Sequence, residues 1–241
     1  MIAAFVLLAL LYMRGWRRLR ATSGHPVRAW QAASFLTGVF LIWAAVGSPI
    51  AAYDHHLLTV HMIQHLLLMT VAPGLLLLGE PLLVLWPRRT FVQRFAPILA
   101  QPTFCWTVSA LTLIVWHVPA VFMRAMQSDI WHSIEQSSFL SAGLLFWWPV
   151  IKPWPSVSTG PQWSTLVYLF LATLPCDALS GFLVFSDRVA YPVFVSMPRH
   201  FGLSVLEDQQ CAAALMWAFV TLAYLVAAAI LSTRMLSPRS V

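Results

Sequence analysis

Long apolar stretches alternate along this chain with short breaks rich in Arg and Pro. A helix rises about 1.5 Å per residue, so about 20 apolar residues cross a hydrocarbon core about 30 Å thick. The pattern predicts seven spans, at 1–13, 29–48, 56–80, 103–123, 131–151, 163–184 and 209–232. Pro49, Pro81, Pro87, Pro102, Pro153, Pro155 and Pro161 fall near the span ends, where a residue without an N–H is tolerated. Pro73 and Pro175 fall inside spans and predict kinks. Alternating ten-residue segments of a membrane barrel are absent, so the expected fold class is all-α, a polytopic membrane helix bundle. No repeat or low-complexity segment divides the chain, which reads as one helical domain over residues 1–241.

The first apolar run, Ile2 to Tyr12, is short for a span and is followed by Arg14, Arg17, Arg18 and Arg20. A signal peptide carries its charges before its apolar run, so this one reads as a helix whose beginning was lost to a mis-assigned start.

Composition agrees with the pattern. Of 241 residues, 60% are hydrophobic and only 9% are charged, against about 25% charged in a soluble domain. The net charge of +6 does not call for nucleic acid, because the Arg residues fall in short loops. Counted by alternate loops, eleven basic residues lie on the side holding residues 14–28, 86–101, 152–162 and the tail, and three (Arg124, Arg188, Arg199) on the other. The positive-inside rule then places the N-terminus outside and the C-terminus in the cytoplasm. Cys105, Cys176 and Cys211 form no CxxC pair and suggest no disulfide framework.

That orientation collects His55, His56, His61, His65, His117, His132 and His200 toward the outer face, leaving His25 inside. His61-Met62-Ile63-Gln64-His65 is the most informative stretch. Four residues of helix turn two imidazoles about 40° apart, roughly 6 Å along one face. Met69 continues the interval of four. Imidazole and thioether donors suit copper; the bland alternative is that the histidines hydrogen-bond a neighbouring helix. His132 opens the fifth span, with Gln136 four residues on and Glu135 placed to orient an imidazole. His117, in Trp116-His117-Val118-Pro119, is a ligand or an interfacial histidine. Asp208 and Gln209 cap the last helix or accept a hydrogen bond from a ligand histidine. Met216 is a packing residue, and Asp177 is an acid at membrane depth in need of a partner. His61-Met62-Ile63-Gln64-His65 lacks the Glu that a zinc peptidase helix uses as base, and nucleophile elbow, phosphate loop and dinucleotide fingerprint are absent. Haem ligation by facing histidines stays open, without CxxCH attachment.

Several blocks together resemble the CtaG family of cytochrome c oxidase assembly factors. They are His61 to Met69 with Ala72-Pro73 and Leu78-Gly79-Glu80-Pro81; Trp116-His117-Val118-Pro119; His132, Glu135 and Phe139; Gly143 to Pro149; and Asp208-Gln209-Gln210 through Met216-Trp217. The blocks run in family order across nearly the whole chain. The resemblance implies a seven-helix inner-membrane protein, not an enzyme, that assists maturation of a haem–copper oxidase. Its expected partners are an oxidase subunit, a copper ion and the lipid bilayer, with a homo-oligomer also compatible. His61 and His65 would be primary copper ligands, joined by His132, His117 and Met69, with Glu135, Asp208 and Gln209 orienting them. Two departures stand out. Gln136 occupies a position where the family usually has a second histidine, and Cys211-Ala212-Ala213 stands where it often has glycines. Cys211 would then replace a lost ligand, or the metal is not bound. The competing readings are a haem-binding redox protein and a metal-free scaffold. Copper passage to the inner face is disfavoured because the stripe of ligands fades below Met69.

Overall fold

The computed structural model describes residues 2–22, 27–85, 97, 100–153, 161–198 and 202–236. His25, His200, Pro87, Pro155, Arg88, Arg89, Arg94, Arg199 and Arg239 lie outside the described residues. Among those described, the protein is all-helical, without strands. The helices are α1 (Ile2–Thr22), α2 (Ala29–Gly47), α3 (Leu58–Leu66), α4 (Ala72–Leu78), α5 (Pro81–Leu85), α6 (Pro102–His117), α7 (Pro119–Met126), α8 (Asp129–Ile151), α9 (Gln162–Val184) and α10 (Val205–Leu236). Short 3₁₀ turns cover Ala51–Tyr53 and Pro192–Ser196.

Among the described residues, four helical segments are long and apolar enough to cross a membrane, and the bent pair α6–α7, taken as one span, makes up to five. α1 and α8 have the length, at 21 and 23 residues, but both carry ionisable groups. The Arg-bearing stretch after the first apolar run, expected as a loop, continues α1 to Thr22. Arg is a good helix former and can carry its guanidinium away on a long apolar stem.

α3 and α4 form one rod, Leu58–Leu78, the most buried of the candidate spans. They are joined by a π-helical turn, Leu67–Val71, in which the Ala72 N–H reaches back five residues to the Leu67 carbonyl. The cause lies in Pro73, which has no N–H and whose ring would strike the carbonyl four residues earlier, that of Met69. The widened turn relieves that conflict within the helix, so Pro73 produces a bulge rather than a break. Gly143 of α8 packs against the Met69 carbonyl, and a Cβ there would collide with that oxygen. Small residues allow such close backbone approach where neighbouring lipid offers no hydrophobic drive.

The rod separates two apolar clusters. Leu58, Met62, Leu66 and Leu77 pack with α9 and α10 side chains, including Leu169, Cys176, Met216 and Val220. Leu68, Ala72 and Leu76 pack with Phe35, Val39 and Ile42 of α2. The buried polar residues His61, Gln64 and His65 lie on the same rod.

Candidate metal centre

His61 and His65 lie one turn apart on α3, with ring centroids 4.2 Å apart. Glu135 comes from α8, near the start of that helix. Its Oε1 stands 3.5 Å from Nε2 of His61 and 3.5 Å from Nε2 of His65. His132, one turn earlier on α8, places Nε2 4.0 Å from Glu135 Oε2 and stacks on His61 at 5.6 Å. Its other carboxylate neighbour is Asp54, with Oδ2 at 3.5 Å. Two overlapping groups therefore offer donor atoms within metal-sharing distance: His61, His65 and Glu135; and Asp54, His61 and His132. All five residues are buried, and His61 and Glu135 are wholly inaccessible.

The hydrogen bonding of this group is incomplete. Both ring nitrogens of His61, both of His65 and both carboxylate oxygens of Glu135 are buried without a hydrogen-bond partner. Each such atom costs about 1–3 kcal/mol relative to a satisfied one. Buried polar atoms are nearly always paired; here Nε2 of each histidine faces Glu135 Oε1, an arrangement that can hold a bound cation. Three imidazoles and two carboxylates form a donor set of nitrogen and oxygen, suited to a cupric or zinc-like divalent ion. Two carboxylates would balance its charge.

The surrounding residues fix these donors in place. Gln64, the fourth residue of the His61–His65 stretch, donates from Nε2 to the Ala45 carbonyl at 2.8 Å and to Asp54 Oδ2 at 3.1 Å. It ties the end of α2 and Asp54 to α3. Asp54 also lies 3.6 Å from Nε2 of His55, a partly exposed residue. Phe139 packs on the His65 ring at 4.0 Å, and Phe122 on His61 at 5.0 Å.

Each sequence-predicted site residue has a defined place. His61, His65, His132 and Glu135 come together. Glu135 stands among the imidazoles as a candidate ligand in its own right. His117 ends α6 because Val118 precedes a proline and is held extended, so the helix turns by 74° into α7. His117 lies 6.3 Å from the His65 ring, outside the two groups. Its Nδ1 is 2.8 Å from the Leu113 carbonyl. A carbonyl only accepts, so Nδ1 carries the proton and Nε2 keeps its lone pair. That Nε2 is buried and unpartnered. Met69 sits within the π turn that follows His65. It borders a cavity shared with His65 and His117.

Asp208 and Gln209 do not bond an imidazole. The Asp208 carboxylate accepts the N–H groups of Leu58 (2.7 Å) and Thr59 (3.1 Å), the unsatisfied donors at the start of α3. Gln209 accepts the Ala190 N–H at 2.7 Å and donates to the Leu183 and Arg188 carbonyls, fixing the loop after α9. Both residues position elements rather than ligands. Gln136 places Nε2 3.2 Å from His132 Nε2. Cys211 is exposed, and Asp177 is half-buried with Oδ1 unpartnered. Sequence reasoning missed Asp54 and the role of Gln64. The signal was present in Asp54-His55-His56, an acid and two histidines just upstream of His61.

A sequence model of the cytochrome c oxidase caa3 assembly factor family (CtaG) matches residues 10–237. An uncharacterized protein of Mycobacterium bovis is 23% identical over 242 residues, covering 91% of this chain and 36% of the relative. One of Mycobacterium tuberculosis matches to the same extent. One of Mycobacterium leprae is 21% identical over 93% of this chain and 37% of its own length. The chain thus spans little more than a third of the length of the curated relatives it matches. No solved structure matches.

Proposed function

This chain belongs to the caa3-type cytochrome c oxidase assembly factor family, and we propose that within it the protein binds a copper ion as cargo and delivers it to an oxidase subunit. The observation that carries this reading is the convergence of His61, His65, His132, Glu135 and Asp54, with their unpartnered buried atoms. A haem–copper oxidase needs copper inserted during its assembly, and neutral imidazoles are good copper ligands.

The proposed topology has seven spans, counting α1, α8 and the pair α6–α7, with the N-terminus outside in a bacterial inner membrane. The charge bias of the loops supports that orientation. The centre then lies toward the outer face, at the α3 and α8 N-terminal ends. His55 and Asp54 lead in from the surface, and Glu135 and the imidazoles hold the ion. Holding and releasing cargo requires no catalysis.

Cupric titration of the purified protein in detergent, against a competing chelator, tests the proposal. The His61→Ala, His132→Ala variant should lose at least a hundredfold in affinity. Unchanged affinity in that variant would overturn the reading and favour a metal-free scaffold. A Soret band in the purified protein would instead favour haem.

A further inference from the structure

Next to the histidine–carboxylate centre lies a cavity of about 50 Å³, walled by the rod, α6, α8, α9 and α10. A space of that size admits a few waters or an ion. Most of its wall is aromatic or aliphatic. Yet six of its eighteen lining residues are Met62, His65, Met69, His117, Cys176 and Met216. Met, Cys and His together make up only twenty of the chain's 241 residues, so soft donors are concentrated here about fourfold. They come from four separate elements: the rod, α6, α9 and α10.

Packing alone accounts for methionines, which fill irregular gaps. It does not account for the imidazoles. His117 is buried, with Nε2 unpartnered and, by the proton on Nδ1, carrying a free lone pair. Both ring nitrogens of His65 are also unpartnered. Cys176 is buried, and its Sγ has a single weak contact, 3.9 Å to Ser180 Oγ.

We infer that this cavity is a second cation site, built for a soft monovalent ion of the cuprous kind. The inference rests on the copper reading for its choice of ion, and on separate residues for its site. Two properties set it apart from its neighbour. Its sulfur donors favour a soft ion, whereas the carboxylates next door favour a harder one. Its charge differs as well. Cys176 is the one thiol in the lining. Exchange of the thiol proton for one monovalent cation, with the proton released to solvent, leaves the cavity neutral. A divalent ion there would leave a net charge in a low-dielectric interior. His65 borders both sites, so an ion arriving at the histidine–carboxylate centre and one held among the sulfurs share a ligand.

The test is X-ray absorption at the copper edge on purified protein loaded anaerobically with cuprous ion. The wild type should show sulfur scattering from at least two ligands. The Cys176→Ser, Met216→Leu variant should lose that sulfur shell and about one equivalent of bound cuprous ion, while retaining cupric affinity. An Asp54→Asn, Glu135→Gln variant should show the converse: weakened cupric binding with the sulfur shell intact. A wild-type spectrum with nitrogen and oxygen scattering alone overturns the inference, and does so even if the sulfur variants fail to fold. A sulfur shell unchanged in the Cys176→Ser, Met216→Leu variant overturns it too. Loss of cupric binding alone bears on the histidine–carboxylate centre and leaves the sulfur site standing.

Discussion

The Asp208 carboxylate accepts the Leu58 backbone N–H at 2.7 Å, joining positions 150 residues apart. Its other oxygen accepts the Thr59 N–H and hydroxyl, at 3.1 and 2.6 Å. The first turn of α3 is therefore capped by a side chain from α10. A carboxylate at a helix N-terminus satisfies free donors and meets the positive end of the dipole. Because His61 lies one turn further along, this cap sets the position of the histidine-bearing rod. Asp208→Ala should lower stability by about 1–2 kcal/mol and weaken cupric binding through misplacement of His61. Asp208→Asn, which keeps one acceptor, should recover much of both. Thermal unfolding in detergent, followed with and without cupric ion, checks the pair.

Glu135 gives the sharpest distinction between a structural and a ligand role. A buried carboxylate that stabilised the fold would make its removal costly. Here both oxygens lack hydrogen-bond donors, and a buried carboxylate without hydrogen bonds costs more than a buried neutral amide. Glu135→Gln should leave the metal-free melting temperature unchanged or higher, while cupric affinity falls by at least tenfold. A lowered melting temperature with unaltered affinity would assign Glu135 to the fold instead. The two readouts move in opposite directions only if the carboxylate is kept for the ion.

Gly143 tests how the rod is seated. A Cβ at this position would strike the Met69 carbonyl and the Pro73 ring. The first obstacle is backbone and cannot rotate away. Gly143→Ala should therefore force α8 off the π turn, at a cost of about 1–3 kcal/mol as for other overpacked sites. Glu135 and His132 ride on α8, so cupric affinity should fall along with stability. Gly181→Ala, where the added Cβ would meet nothing within 4 Å, serves as the control and should change neither.

The all-helical class, the rod and the pairing of His61 with His65 on one face, and of His132 with Glu135 on another, were legible in the sequence because each follows from local spacing; that the two faces meet was not. Two residues four apart share a helical face wherever that helix lies. The parts that stayed hidden depend on long-range packing or on a departure from regular helix. Asp54 follows a 3₁₀ turn, where no period predicts its direction; Gln64, four helices' worth of context aside, orients it through one side-chain bond. Met69 reads as the next residue of a regular helix, and only Pro73 places it in a π turn. Cys176 carries no motif, and only the packing of α9 against the rod and α10 brings it to the cavity. Asp208 looked like a local cap of its own helix; it caps another.

Gln136 is one of the two places at which this chain departs from the resemblance, and the structure gives that departure a geometry. Its amide nitrogen lies 3.2 Å from Nε2 of His132. An amide is a poor copper ligand, and here it also occupies the nitrogen that His132 would offer an ion. An imidazole at 136 would stand one helical turn beyond His132, as His65 stands beyond His61. Gln136→His should therefore complete a second histidine pair facing the first. The side chain is half-buried, so the exchange should alter stability by no more than about 0.5 kcal/mol. Cupric affinity should rise about tenfold, the amount expected for about 1.4 kcal/mol of added binding energy. Gln136→Leu, which removes the amide without adding a donor, should gain less. Equal affinity in wild type and Gln136→His would place residue 136 outside the ligand sphere and leave Asp54 as the natural partner of His132.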